Sequence, residues 1–126
     1  MTLTEQIIKE LEGKELESIL INATDNSLEL RVSKNGQSTE RLVLEGILEL
    51  KYAPDFSDFG PWYIIECHYQ SDLLKNIIDE LSLLWTKEAP AVKNWLDQEI
   101  HRVKMFSGDF ELIVTFKKIK TGNNNT

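Results

Sequence analysis

The stretch Arg41-Leu-Val-Leu-Glu-Gly-Ile-Leu-Glu-Leu-Lys-Tyr52 alternates along its length. Leu42, Leu44, Leu48, Leu50 and Tyr52 fall on one side; Arg41, Val43, Glu45, Ile47, Glu49 and Lys51 fall on the other. That two-residue period is the mark of a half-buried strand. Gly46 lands on the apolar side in mid-run. A glycine there packs nothing and frees the backbone, so it predicts a bulge or a sharp bend where another segment comes close.

Upstream, Leu28, Leu30 and Val32 alternate with Glu29, Arg31 and Ser33, and Asn35-Gly36 stands before the long run. Asn-Gly tolerates positive φ at both central residues of a type I′ turn, which predicts a hairpin. Residues 16–22 give an earlier strand, turned at Asp25-Asn26. Before it, Thr2 and Glu5 have capping-box spacing, and Leu3, Ile7, Ile8 and Leu11 share one helical face. A helix is expected over 3–12, with Gly13 closing it.

Downstream, residues 53–61 form a loop bounded by Pro54 and Pro61, and 62–69 read as a central strand with apolar residues on both faces. Ser71 and Asp72 offer an N-cap to the stripe Leu73, Leu74, Ile77, Ile78, Leu81, Leu84 and Trp85, which predicts a helix over 72–86. Pro90 opens a second helix, with Val92, Leu96 and Ile100 four apart. Strands follow at 102–106 and 110–117 around Ser107-Gly108-Asp109, and 120–126 have nothing to bury and read as a frayed tail. The order αββββααββ predicts one α+β domain over 1–119: a curled antiparallel sheet or partly open barrel of about six strands, helices packed on one side.

The 126 residues carry 14 Lys plus Arg against 21 Asp plus Glu, a net charge of −7. Lys117, Lys118 and Lys120 lie beyond the last acid, Glu111, so the rest of the chain is more acidic still. Such a surface repels phosphate backbones and anionic lipid and attracts basic proteins. No nucleic-acid or membrane partner is expected; a basic protein partner is. Oligomeric state has no signature. Cys67 is alone and excludes an internal disulfide, and the first residues show no secretory leader, so a reducing cytoplasm is expected. Phosphate loops, dinucleotide fingerprints, Cys-x-x-Cys pairs and serine elbows are missing; no cofactor and no metal are expected.

Two sets of residues carry functional expectations. In the loop, Asp55, Phe56, Asp58 and Phe59, with Trp62 at its end, combine aromatics and acids as interfaces do. Glu66 and His68 share one side of a strand, and His101 opens the last hairpin; a carboxylate beside imidazoles is the minimum for acid–base work. Cys67 alternates with His68 and shares its side with Tyr63 and Ile65, so it reads as a small core residue. In size, charge and layout the chain is similar to small acidic bacterial proteins that neutralise toxins or serve as adaptors. The leading expectation is therefore a non-enzymatic protein-binding domain acting through the loop. The alternative is a small-molecule-binding or hydrolase-like domain with Glu66, His68 and His101 in a pocket between sheet and helices.

Overall fold

The computed structural model describes residues 2–34, 37, 39–55, 61–83 and 88–122. The Asn35-Gly36 turn, residues 56–60, the 84–86 part of the expected helix and the end of the expected tail lie outside them.

Helix α1 (Leu3–Lys9) begins as its sequence dictates: the Thr2 hydroxyl accepts from the Glu5 N–H at 3.1 Å. Among the described residues nine strands follow, in two antiparallel sheets. They are β1 (Glu15–Asn22), β2 (Ser27–Ser33), β3 (Glu40–Glu45), β4 (Glu49–Pro54), β5 (Trp62–Tyr63), β6 (Glu66–Leu73), β7 (Glu99–Phe106), β8 (Phe110–Phe116) and β9 (Lys118–Gly122). One sheet has the order β5-β1-β2-β3-β9 and the other β4-β8-β7-β6. The expectation of one curled sheet or partly open barrel of about six strands is thus overturned: there are two separate sheets, and neither curls into a barrel.

The reason lies at Gly46. The run 41–52 is not one strand. Its first half pairs with β2 and β9, its second half with β8. Gly46 takes φ +70, which side chains rarely adopt, and the chain turns there from one sheet into the other. The pairing partner turns at the same place: the Lys117 N–H donates to the Glu45 carbonyl at 2.9 Å, and the Leu48 N–H to the Thr115 carbonyl at 2.8 Å. Residues 120–122, expected to fray, complete β9, with Lys120 opposite Val43.

The two sheets pack inner face to inner face. Leu28, Leu30, Val32, Leu42 and Leu44 meet Cys67, Val103, Met105, Leu112, Val114 and Phe116; α1 adds Ile8, and the turn after it adds Leu11. A second apolar cluster sits on the outer face of the four-stranded sheet, where Leu74, Ile77, Ile78 and Val92 cover Ile100. The helical segments therefore do not share one side.

The expected helix over 72–86 is also corrected. Strand β6 runs on to Leu73, opposite Glu99. Among the described residues only α2 (Leu74–Ile77) and a 3-10 turn (Ile78–Glu80) follow, and α3 (Pro90–Lys93) is equally short. Leu81 is extended, at φ −93 and ψ 147, and this delivers the Ser82 N–H to a Glu49 carboxylate oxygen at 2.9 Å. A tertiary hydrogen bond to a buried charge outweighs the helical preference of the stripe.

Candidate functional site

Residues 62–68 carry the chain from one sheet to the other. Trp62 faces inward, stacks on Phe110 with centroids 6.1 Å apart, and donates its indole N–H to the Tyr52 hydroxyl at 2.7 Å. Ile64 is buried, held by backbone bonds to Lys14 and Gly13. Between β5 and β6 the alternation slips by one residue, so Ile65 and Glu66 are both exposed before Cys67 turns in. Cys67 consequently does not share its side with Tyr63 and Ile65. It is buried, while Tyr63 is 50% and Ile65 57% exposed.

The outward residues of this segment stand among charges of both signs: the Lys9 ammonium donates to the Cys67 carbonyl at 3.2 Å, and Lys104 lies opposite His68. Glu66 and His68 follow Ile65, with His68 Nε2 3.9 Å from the Glu66 carboxylate, and the His68 ring stacks on Phe106 at 5.5 Å. Glu15 lies opposite Tyr63 across the β1–β5 ladder. Glu12 accepts from the Cys67 N–H at 3.1 Å, which fixes another carboxylate beside the segment. Tyr63 and Ile65 are exposed residues of the types that interface cores favour, whereas Phe106 lies with Glu66 and His68 on the outer face of the four-stranded sheet.

The expected acid–base set does not assemble. His101 lies opposite Ser71 and Phe116, on the inner face of the four-stranded sheet, whereas Glu66 and His68 lie opposite Phe106 and Lys104 on its outer face. The sheet stands between them. His101 is instead stacked between Tyr69 and Phe116, its Nδ1 2.6 Å from the Tyr69 hydroxyl. Burial pushes its imidazole below the ordinary value, against the opposing pull of Glu99. Among the described residues no group of three or more His, Cys, Asp or Glu is placed to hold a metal ion.

Of the expected loop set, Asp55 is half-buried and donates its backbone N–H to the Asp109 carbonyl at 2.7 Å. Trp62 is a core residue. Phe56, Asp58 and Phe59 lie outside the described residues.

One polar cluster had no signal in the sequence. Glu49, Thr115, Arg102 and Gln70 stand in one row across the four-stranded sheet. Glu49 accepts from Arg102 Nε at 3.1 Å, from the Thr115 hydroxyl at 2.8 Å and from the Ser82 N–H. Arg102 also reaches the Glu80 carbonyl at 3.4 Å. Burial by itself would raise the Glu49 carboxyl, but these hydrogen bonds and the guanidinium hold it below the usual carboxylate value. Every partner is satisfied inside the chain, so the cluster reads as a clamp that fixes the 74–83 segment to the sheet. Beyond that segment an apolar cleft of about 370 Å³ opens between Ile47 and Leu48 on one side and Val92 and Trp95 on the other.

No family model matches the chain, and no curated protein matches it in sequence.

Proposed function

We propose that this chain is a protein-binding domain, of the kind that serves as an adaptor or neutralises a toxin, and that its contact surface is the exposed segment around Tyr63 and Ile65. The observation that carries this reading is the exposure of Tyr63 and Ile65 beside Glu66, Glu15 and Glu12. Two large apolar side chains held outward on a fixed backbone supply a contact core without an ordering cost, and the surrounding carboxylates favour a basic partner. The acid excess of the chain adds long-range attraction to the same kind of partner.

A photo-crosslinking residue in place of Tyr63 tests the reading, with one in place of Lys93 as a control. The expected result is a partner captured at position 63 and not at 93, less of it at high salt, and none from a chain that also carries Ile65→Asp. Equal capture at both positions, or capture indifferent to Ile65→Asp in a folded chain, overturns it.

A further inference from the structure

The helical segments roof part of the outer face of the four-stranded sheet. Leu74, Ile77 and Ile78 cover Ile100, and one row further the Glu80 carbonyl accepts from Arg102 Nη2 at 3.4 Å. In the next row Lys104 and His68 stand opposite each other, both exposed. At this step lies a cavity of about 310 Å³ whose lining includes His68, Gln70, Arg102, Lys104 and Phe106 and is mostly apolar.

The polar part of that lining is a set of donors without acceptors. The clamp on Glu49 engages Arg102 through Nε and Nη2, and Nη1 takes no part in it. Nη1 meets no acceptor among the described residues, although Arg102 is only 7% exposed. A guanidinium edge in so buried a side chain calls for a water or a ligand to accept from it. The Lys104 ammonium and the Gln70 amide are likewise unengaged among the described residues. The ladder brings the three together, because Gln70 stands opposite Arg102 and Lys104 is two residues along the same strand.

Charge and shape narrow the ligand. Glu49 already offsets Arg102, and Lys104 supplies one further positive charge. Glu66, its carboxylate 3.9 Å from His68 Nε2, repels a second negative charge on the ligand. A carboxylate fits this balance, with two oxygens to share among a guanidinium, an ammonium and an amide. The His68 and Phe106 rings, stacked with centroids 5.5 Å apart, supply an aromatic wall beside those donors. The volume stands at the small end of the roughly 300–1,000 Å³ usual for ligand sites, which suits a single ring.

We propose that this cavity binds a small carboxylic acid with an aromatic body, its carboxylate on Arg102 Nη1, Lys104 and Gln70 and its ring against Phe106 and His68. The site uses neither His101 nor the Tyr63 and Ile65 surface, so it stands or falls independently of the partner reading above.

NMR titration of the isotope-labelled full chain with phenylacetate is the test. Saturable shifts are expected at His68, Gln70, Arg102 and Lys104, with Tyr63 and Ile65 unmoved. Phenylacetamide keeps the ring without the charge, and acetate keeps the charge without the ring. Each is expected to bind at least about tenfold more weakly than phenylacetate. Lys104→Ala removes an exposed ammonium that the clamp does not use, and circular dichroism checks that the variant is folded. It is expected to weaken phenylacetate about tenfold, and Lys104→Arg to keep most of the affinity. No saturable shift at these four residues overturns the proposal. So does phenylacetamide binding as well as phenylacetate, inorganic phosphate binding more tightly than either, or a folded Lys104→Ala chain with unchanged affinity.

Discussion

Gly46 and Lys117 touch at the corner where both long strands change sheet: a Cβ placed on Gly46 would lie 2.8 Å from the Cβ of Lys117. Gly46 also holds a positive φ of +70. A side chain there meets backbone strain and a collision at once. Gly46→Val is expected to destabilise the chain by about 1–3 kcal/mol, read as a lowered urea midpoint with an unchanged slope. An unchanged midpoint would mean that the corner relaxes freely.

The pair Glu49–Arg102 sets a second expectation. Removing one member of a buried ion pair strands the other, so Glu49→Ala should cost about 3–5 kcal/mol. The pH dependence follows from the carboxyl being held below its ordinary 4.5. A carboxyl depressed by folding contributes fully above 4.5, and that contribution is lost as pH falls through its folded value. Urea titrations of both chains should therefore show a stability gap that is widest above 4.5 and narrows in acid. A gap constant down to strong acid would refute the assignment.

Cys67 should be inert in the native chain. It is buried, and its thiol is pushed up to about 12 by burial and by the Glu12 carboxylate, against the opposing Lys9. The reactive species is the thiolate, so a disulfide reagent at neutral pH should label it only after denaturant is added. Fast stoichiometric labelling without denaturant would place it at the surface instead.

His101 should titrate below 6.5, because burial disfavours its charged form more than Glu99 favours it. An imidazole depressed by folding gives its full contribution above 6.5. Stability is then lost as pH falls below 6.5 toward the folded value, since the unfolded chain takes up the proton first. A proton NMR titration of the two histidines reads this directly. A His101 midpoint at or above 6.5 would contradict the inner-face placement.

Local signals in the sequence were enough for single elements but not for their arrangement in two sheets. Thr2 caps α1 because its hydroxyl satisfies the otherwise unpaired Glu5 N–H of the first turn. The alternation of 28–33 and of 110–117 gives β2 and β8 because each has a dry and a less dry face. Parity between strands was out of reach. Whether His101 shares a side with His68 depends on the register that sets Ser71 against His101, and no count along the chain supplies it. The outward pair Tyr63 and Ile65 was hidden by the one-residue slip before Glu66. The stripe from Leu74 to Ile78 was right about burial and wrong about period, because Ser82 is drawn to Glu49 from outside the segment. Strand β9 has a single large apolar residue, Ile119, and gains its place from β3 rather than from its own pattern.

The order β5-β1-β2-β3-β9 also has a consequence for biosynthesis. Strand β3 lies inside its sheet, yet its outer neighbour is the last strand the ribosome makes among those described, after Leu44 has waited most of the chain's length for Ile119. Pairings so distant must close large loops before they gain anything, which slows folding. Until residues 118–122 emerge, a nascent chain can assemble the 15–45 meander but leaves Glu40–Glu45 as a raw border. That interval is when this protein is most exposed to misassembly on the polysome and most in need of a chaperone.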